Sequence, residues 1–228
     1  MNTGNDGVRE NGIALLAIPK LCIGMGHEGD ALIKLADVVA AEGATVGIET
    51  VNWPMEYPYK PEVSATLAHD GEYLFCLFSV KERHLLVRTL DDNGPVWEDS
   101  CVELFIADAD GRHYYNFETN AAGVSLASRR VSRTECVHFS QDKMRRIIRL
   151  SSLPKTTADR VDENGVTWTL LLGIPFDLFS QEIPDMLRIN LYKCGDKTET
   201  PHFLSWAPIN TTAPDFHRPE FFRNVKLS

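Results

Sequence analysis

GPVWEDSCVELFIADADGRHYYNFETNAAG, residues Gly94 to Gly123, reads as one β-hairpin preceded by a tryptophan-bearing loop. Apolar and polar residues alternate through CVELFI and again through YYNFETN, with DADG between them as the turn. With Ile106 set opposite His113, Phe105 faces Tyr114, Glu103 faces Asn116 and Cys101 faces Glu118. Glu103 and Glu118 are then diagonal neighbours. Successive side chains point to opposite faces of a strand, so Val102, Leu104, Ile106, Tyr115 and Phe117 form one apolar face. That face is assigned to the core. The other carries Glu103, Asn116 and Glu118 beside Phe105 and Tyr114, a mixture of hydrogen-bonding groups and flat rings.

The same texture extends outward. From Val63 on, short apolar or alternating runs (SATLAHD, EYLFCLFSV, HLLVRTL, RIIRLSS, VTWTLLLGIP, LRINLYKCG, HFLSWAP, FFRNVKL) are separated by DDNGP, DADGR, NAAG and DENG. Many short strands with frequent turns predict an antiparallel sandwich or barrel rather than a parallel α/β sheet. EYLFCLFSV and VTWTLLLGI are apolar on both faces, as central strands are. Before them, GDALIKLADVVAAEGA predicts a helix. Asp30 is placed as its cap, Leu32, Leu35, Ala36 and Val39 recur at helical spacing, and Gly43 ends it. No internal repeat or linker divides the 228 residues, so the chain is read as one domain over 1–228.

A formal charge of -9 at pH 7 repels polyphosphates, and the one dense basic run, KMRRIIRL (Lys143 to Leu150), is read as a solvated strand or helix face. Nucleic acid and membrane are not expected partners. The five cysteines (Cys22, Cys76, Cys101, Cys136, Cys194) lack C-x-x-C or zinc-ligand spacing and are read as reduced. Cys76 and Cys101 sit inside strand-like runs, where cysteine behaves as a small buried hydrophobe. The apolar patch Ile13 to Ile18 is too short for the core of an export signal. A complete chain is therefore expected in the cytoplasm, and one trimmed of its signal peptide outside the cell or in the periplasm.

A sugar offers hydroxyls around its rim and C–H patches on its faces, which call for an aromatic platform together with amides and carboxylates. Trp97, Glu103, Asn116 and Glu118 meet that demand, although a tryptophan plugging the end of the sandwich beside solvated acids would read the same way. VNWPMEYPYKPEV (Val51 to Val63), GPVWEDSCVELFI, YYNFETNAAG, LYKCGD (Leu191 to Asp196), HFLSWAPI (His202 to Ile209) and PDFHRPEFF (Pro214 to Phe222) together resemble the family 9 carbohydrate-binding modules. The resemblance runs from about Val51 to the C-terminus and is nearest to free-standing bacterial members. It implies an immunoglobulin-like β-sandwich that clamps the end of a sugar chain between two tryptophans, with a glutamate and amides around the hydroxyls. Modules of this family are commonly joined to xylanases, and some bind structural calcium.

Carried over residue by residue, the resemblance makes Trp97 the first clamp tryptophan, Glu103 the glutamate, and Asn116 and Glu118 the polar positions of the next strand, where the family often has arginine and asparagine. Trp206 becomes the second clamp. Tyr114, His202 and Arg218 complete the expected ligand-binding set, with His217 in the same loops. Trp53 and Trp168 are assigned to packing. For metals, Asp108 and Asp110 flank a glycine turn too short for an EF-hand, so calcium enters only through the resemblance. The expected ligand is a mono- or oligosaccharide. Two other classes stay open: a glycoside hydrolase using Glu103 and Glu118, whose carboxylates would stand about 5 Å apart if retaining and about 6.5 to 9.5 Å if inverting, and a protein-interaction domain with exposed aromatic loops.

Overall fold

A computed structural model of the protein describes residues 9–10, 13–22, 29–108 and 111–228. A short antiparallel pair, β1 (Arg9–Glu10) and β2 (Ile13–Ala14), leads to β3 (Leu16–Ile18) and the helix α1 (Asp30–Glu42). There follow β4 (Ala44–Gly47), β5 (Thr50–Val51), β6 (Glu62–His69), β7 (Tyr73–Val87), β8 (Cys101–Ala107), β9 (Tyr114–Asn120), β10 (Ser125–Arg130) and β11 (Cys136–His138). After the short helix α2 (Gln141–Arg146) come β12 (Ile148–Ser151), β13 (Ala158–Pro175), β14 (Met186–Cys194), β15 (Phe203–Ser205) and β16 (Arg223–Leu227).

These strands make a sandwich. One sheet runs β12-β13-β7-β6-β4; the other runs β11-β10-β9-β8-β14-β15-β5, with β16 also beside β14 and β3 beside β16. The β3–β16 pair is parallel and the remaining ladders are antiparallel. Between the sheets, Leu104, Ile106, Phe117, Ile189 and Leu191 meet Cys76, Phe78, Trp168, Leu170 and Leu172 in one buried cluster. Each large apolar side chain so buried contributes about 1.5 to 3 kcal/mol. Trp168 is core, as its strand context predicts.

α1 lies on the outer face of the smaller sheet, where Leu35 and Val39 pack with Ala68, Phe75 and Leu171. This explains why β7 and β13 are apolar on both faces. Asp30 is the first helical residue rather than the cap, which is Gly29, so its carboxylate acts on the helix N-terminus without capping it. A side chain at Gly43 would meet Thr66 and the Val39 carbonyl at 2.6 Å, so the helix ends where the chain must pass β6 closely.

Two local expectations are corrected. EYLFCLFSV and HLLVRTL are not separate strands but parts of β7, which pairs with β13 from Tyr73 to Val87 with one break of register at Arg83, where DENG forms an irregularity inside β13 between Val161 and Val166. The hairpin register also differs: Glu103 faces Glu118, Phe105 faces Asn116 and Ala107 faces Tyr114. The loop is longer at the turn than DADG alone implies, and the resulting slip of two leaves every side chain on its expected face. The basic run becomes α2 and β12, with Arg145 paired to Asp142, Arg146 to Asp177 and Arg149 to Asp92.

Candidate functional site

The polar face of the β8–β9 hairpin does not meet open solvent. Segments 52–61 and 206–222 roof it, carrying Trp53, Ile209, Phe216 and Phe222 onto Phe105, Tyr114 and Tyr192 in a second apolar cluster. Tyr192 stacks on Phe216 at 4.3 Å with the rings 10° apart, and its hydroxyl donates to the Phe216 carbonyl. Trp53 anchors the other segment by donating Nε1–H to the Thr211 carbonyl at 2.8 Å. Between roof and sheet remains a cavity of about 430 Å³, lined among others by Trp97, Glu103, Glu118, Arg130, Cys194 and Asp196. Tyr57, Phe203 and Phe216 form its aromatic side, and Arg133, Asp215 and His217 add polar groups.

Trp97 stands in a single turn, Val96–Glu98, between β7 and β8. Val96 is buried beneath it, and the fully buried Asp99 fixes the turn by accepting from the backbone N–H groups of Arg88 and Thr89 and from the Asn120 amide. The Trp97 carbonyl accepts from the Asp196 N–H, tying the turn to the end of β14. The indole is 38% exposed, a large apolar ring at the mouth of a polar cavity. Asp99, one of the acids of the opening stretch, is therefore structural.

On the cavity floor Arg130 donates Nε–H to the Asn116 amide oxygen, and the Asn116 amide donates to Glu118 Oε1, both at 2.7 Å. Asn116 thus relays the arginine to the carboxylate while lying fully buried beneath them. Burial pushes the Glu118 carboxyl up to about 7, with Arg130 and the Asn116 hydrogen bond pulling the other way. Glu103 is held well above the usual carboxylate range by burial and by Glu118 across the ladder. Asp196 is raised to about 6 by burial and the neighbouring Glu98. Tyr114 is buried and its hydroxyl shares a hydrogen bond with His217 Nδ1 at 3.1 Å; burial depresses the His217 ring to about 3, so it is a neutral partner.

Of the expected ligand contacts, Asn116 and Tyr114 are buried behind the cavity lining and three others lie elsewhere. Trp206 follows Leu204 on the core-facing parity of its strand, packs against the main core and carries the Arg223 guanidinium 5.2 Å above its ring. The period of two puts Phe203, not Trp206, in the cavity. His202 is buried between the sheets with Nε2 2.9 Å from Lys193 Nζ, which in turn lies 2.9 Å from Glu82 Oε2. Arg218 pairs with Glu220 and Asp215 and is not part of the cavity lining. Arg130 was not singled out from the sequence, yet a signal existed: counting back across the NAAG turn places Leu126 opposite Glu118, Ser128 opposite Asn116 and Arg130 opposite Tyr114.

The Asp108 carboxylate is engaged by the backbone N–H and ring of His113, and Asp110 lies outside the described residues. Among the described residues, Asp108 belongs to no group of three or more carboxylate, histidine or cysteine donors.

A family model for carbohydrate-binding family 9 matches residues 34–227, and the chain belongs to that family. Among solved structures, a protein of Bacteroides uniformis proposed to bind carbohydrate is 35% identical, with 93% of this chain and 98% of that one covered and a TM-score of 0.84. A family 9 module of Caldicellulosiruptor kristjanssonii in complex with glucose shares the fold at 13% identity, with 93% of this chain and 95% of that one covered and a TM-score of 0.51. The same organism's module with cellotriose matches at 14% identity over 93% and 92%, with a TM-score of 0.50. A search of curated proteins finds no match. No helix among the described residues is long and apolar enough to cross a membrane.

Proposed function

We propose that this protein binds a sugar, or the end of an oligosaccharide, in the roofed cavity without chemically altering it. The observation that carries the reading is the half-exposed Trp97 indole at the mouth of a cavity whose floor presents Glu103, Glu118 and Arg130. A pyranose stacks its C–H face on such a ring, while its hydroxyls donate to carboxylates and accept from a guanidinium. Family membership and the glucose and cellotriose complexes of the Caldicellulosiruptor modules support the same ligand class. With Trp206 turned to the core, the second aromatic side of this site is Tyr57, Phe203 and Phe216 rather than a second tryptophan.

Stacking and a few charge-assisted hydrogen bonds, less the cost of association, give a Kd of roughly micromolar to millimolar. The test is a titration with glucose, cello-oligosaccharides and other small saccharides, followed by tryptophan fluorescence and calorimetry. Saturable binding is expected, and Trp97→Ala is expected to weaken it at least about tenfold with an unchanged melting temperature, since the ring is half-exposed. Binding retained in full by Trp97→Ala would overturn the site. A flat response to every saccharide would overturn the function.

A further inference from the structure

At the base of the cavity, Glu103 stands beside two cysteines that sugar recognition leaves unused. Cys101 and Cys194 are directly opposed across the β8–β14 ladder, and Glu103 follows two residues after Cys101 on the same face. The two thiol sulfurs and a Glu103 carboxylate oxygen all lie within 4.8 Å of one another, the one such group of three His, Cys, Asp or Glu donors among the described residues. Cys194 Sγ is 3.1 Å from Glu103 Oε1 and 3.6 Å from the Trp97 carbonyl oxygen. All three residues are buried, yet Cys194 and Glu103 form part of the cavity wall, so a small ion has a route to them.

We propose that Cys101, Cys194 and Glu103 form a binding site for a thiophilic divalent cation of the zinc class, with its open coordination position facing the cavity. In a tetrahedral zinc site sulfur ligands stand at about 2.3 Å and carboxylate oxygens at about 2.0 to 2.2 Å, which places neighbouring donor atoms about 3.5 to 3.8 Å apart. The three donor atoms already stand within 4.8 Å of one another, so the closure this asks of them is on the order of 1 Å. Two sulfurs select against calcium and magnesium, which take oxygen cages. Three protein ligands and one open position is also the pattern of sites that admit an exchangeable ligand.

Glu103, Glu118, Asp196 and Asp215 line the cavity against Arg130 and Arg133, and Arg130 is already committed to Asn116 and the Arg133 carbonyl. On binding, a hydrated cation exchanges three water ligands for two thiolates and one carboxylate. The thiols release two protons to solvent, and a third leaves Glu103 where that carboxyl is protonated. No electron is transferred, so no oxidant or reductant enters.

Cobalt(II) serves as the coloured probe, added to the full chain in metal-free buffer with a phosphine reductant and no sugar. One equivalent is expected to produce thiolate-to-cobalt charge-transfer absorption and the intense visible bands of tetrahedral cobalt, both abolished by added zinc. Cys101→Ala and Cys194→Ala should lose the signal, whereas Cys22→Ser and Cys136→Ser, which alter thiols elsewhere, should keep it. Glu103→Gln preserves both thiols and should weaken binding by more than about tenfold. Melting curves separate loss of metal from loss of fold; if a cysteine variant unfolds, Glu103→Gln decides alone. A colourless titration, a signal that survives Cys194→Ala in folded protein, or a Cys101–Cys194 disulfide that resists the reductant would each overturn the proposal. Because no sugar is present, failure here leaves the saccharide reading standing, and a flat saccharide titration leaves this one standing.

Discussion

Glu118 shows how one residue couples the cavity to stability. Its carboxyl titrates at about 7 in the folded protein against an ordinary 4.5, because burial disfavours the charged form. A raised carboxyl stabilises the fold fully below the unfolded value, and that contribution is lost as the pH rises from about 4.5 through about 7. Glu118→Gln keeps the acceptor for the Asn116 amide and removes the charge. Its melting temperature should therefore match wild type near pH 4 and exceed it above pH 7, by the equivalent of on the order of 3 kcal/mol, in melts across that range. A constant gap at all pH values would locate the effect in packing instead. At Trp206 the expectation is the reverse of Trp97: Trp206→Ala should cost about 2 to 3 kcal/mol in urea unfolding and leave saccharide affinity within about twofold, because the partly buried ring packs against the main core and is not part of the cavity lining.

Between elements, the two sheets are joined by an ion pair as well as by apolar packing. Lys193 of β14 reaches inward to Glu82 of β7 with both side chains fully buried, and Trp168 of β13 donates Nε1–H to the other Glu82 oxygen at 2.7 Å. Removing one partner strands a charge in the interior. Lys193→Met alone should destabilise by about 3 to 5 kcal/mol, and adding Glu82→Gln, which keeps the Trp168 acceptor, should restore most of the loss. Urea midpoints of the two single variants and the double variant measure that coupling, and additive losses would show that the pair does not act as a unit.

At the scale of the whole molecule, the last strand closes the larger sheet. β16 pairs with β14 along Met186–Ile189 and with β3 on its other side, and Val225 is fully buried in the main core. The Ser228 N–H also donates to the Ile18 carbonyl at 3.0 Å. Deleting residues 223–228 should therefore strip β3 of its partner and lower the urea midpoint of the entire domain in one transition. A separate early transition, with the main one unmoved, would show that this edge is not part of the cooperative unit.

The alternation of CVELFI and YYNFETN determined which side chains face the core and which face the cavity, since a slip of two residues in register preserves faces. Periodicity likewise located α1, and two-sided apolarity marked β7 and β13 as central. What local pattern could not carry was everything decided by residues distant in sequence. The roof over the hairpin, formed by segments 52–61 and 206–222, turned a polar sheet face into a buried cavity and raised the acids within it. The meeting of Cys101 with Cys194 and of Lys193 with Glu82, and the turning of Trp206 into the core while Phe203 enters the cavity, depend on which strands become neighbours. Side-chain periodicity is fixed within a few residues of chain, whereas burial, charge coupling and ligand geometry arise from the packing of strands and loops far apart along it.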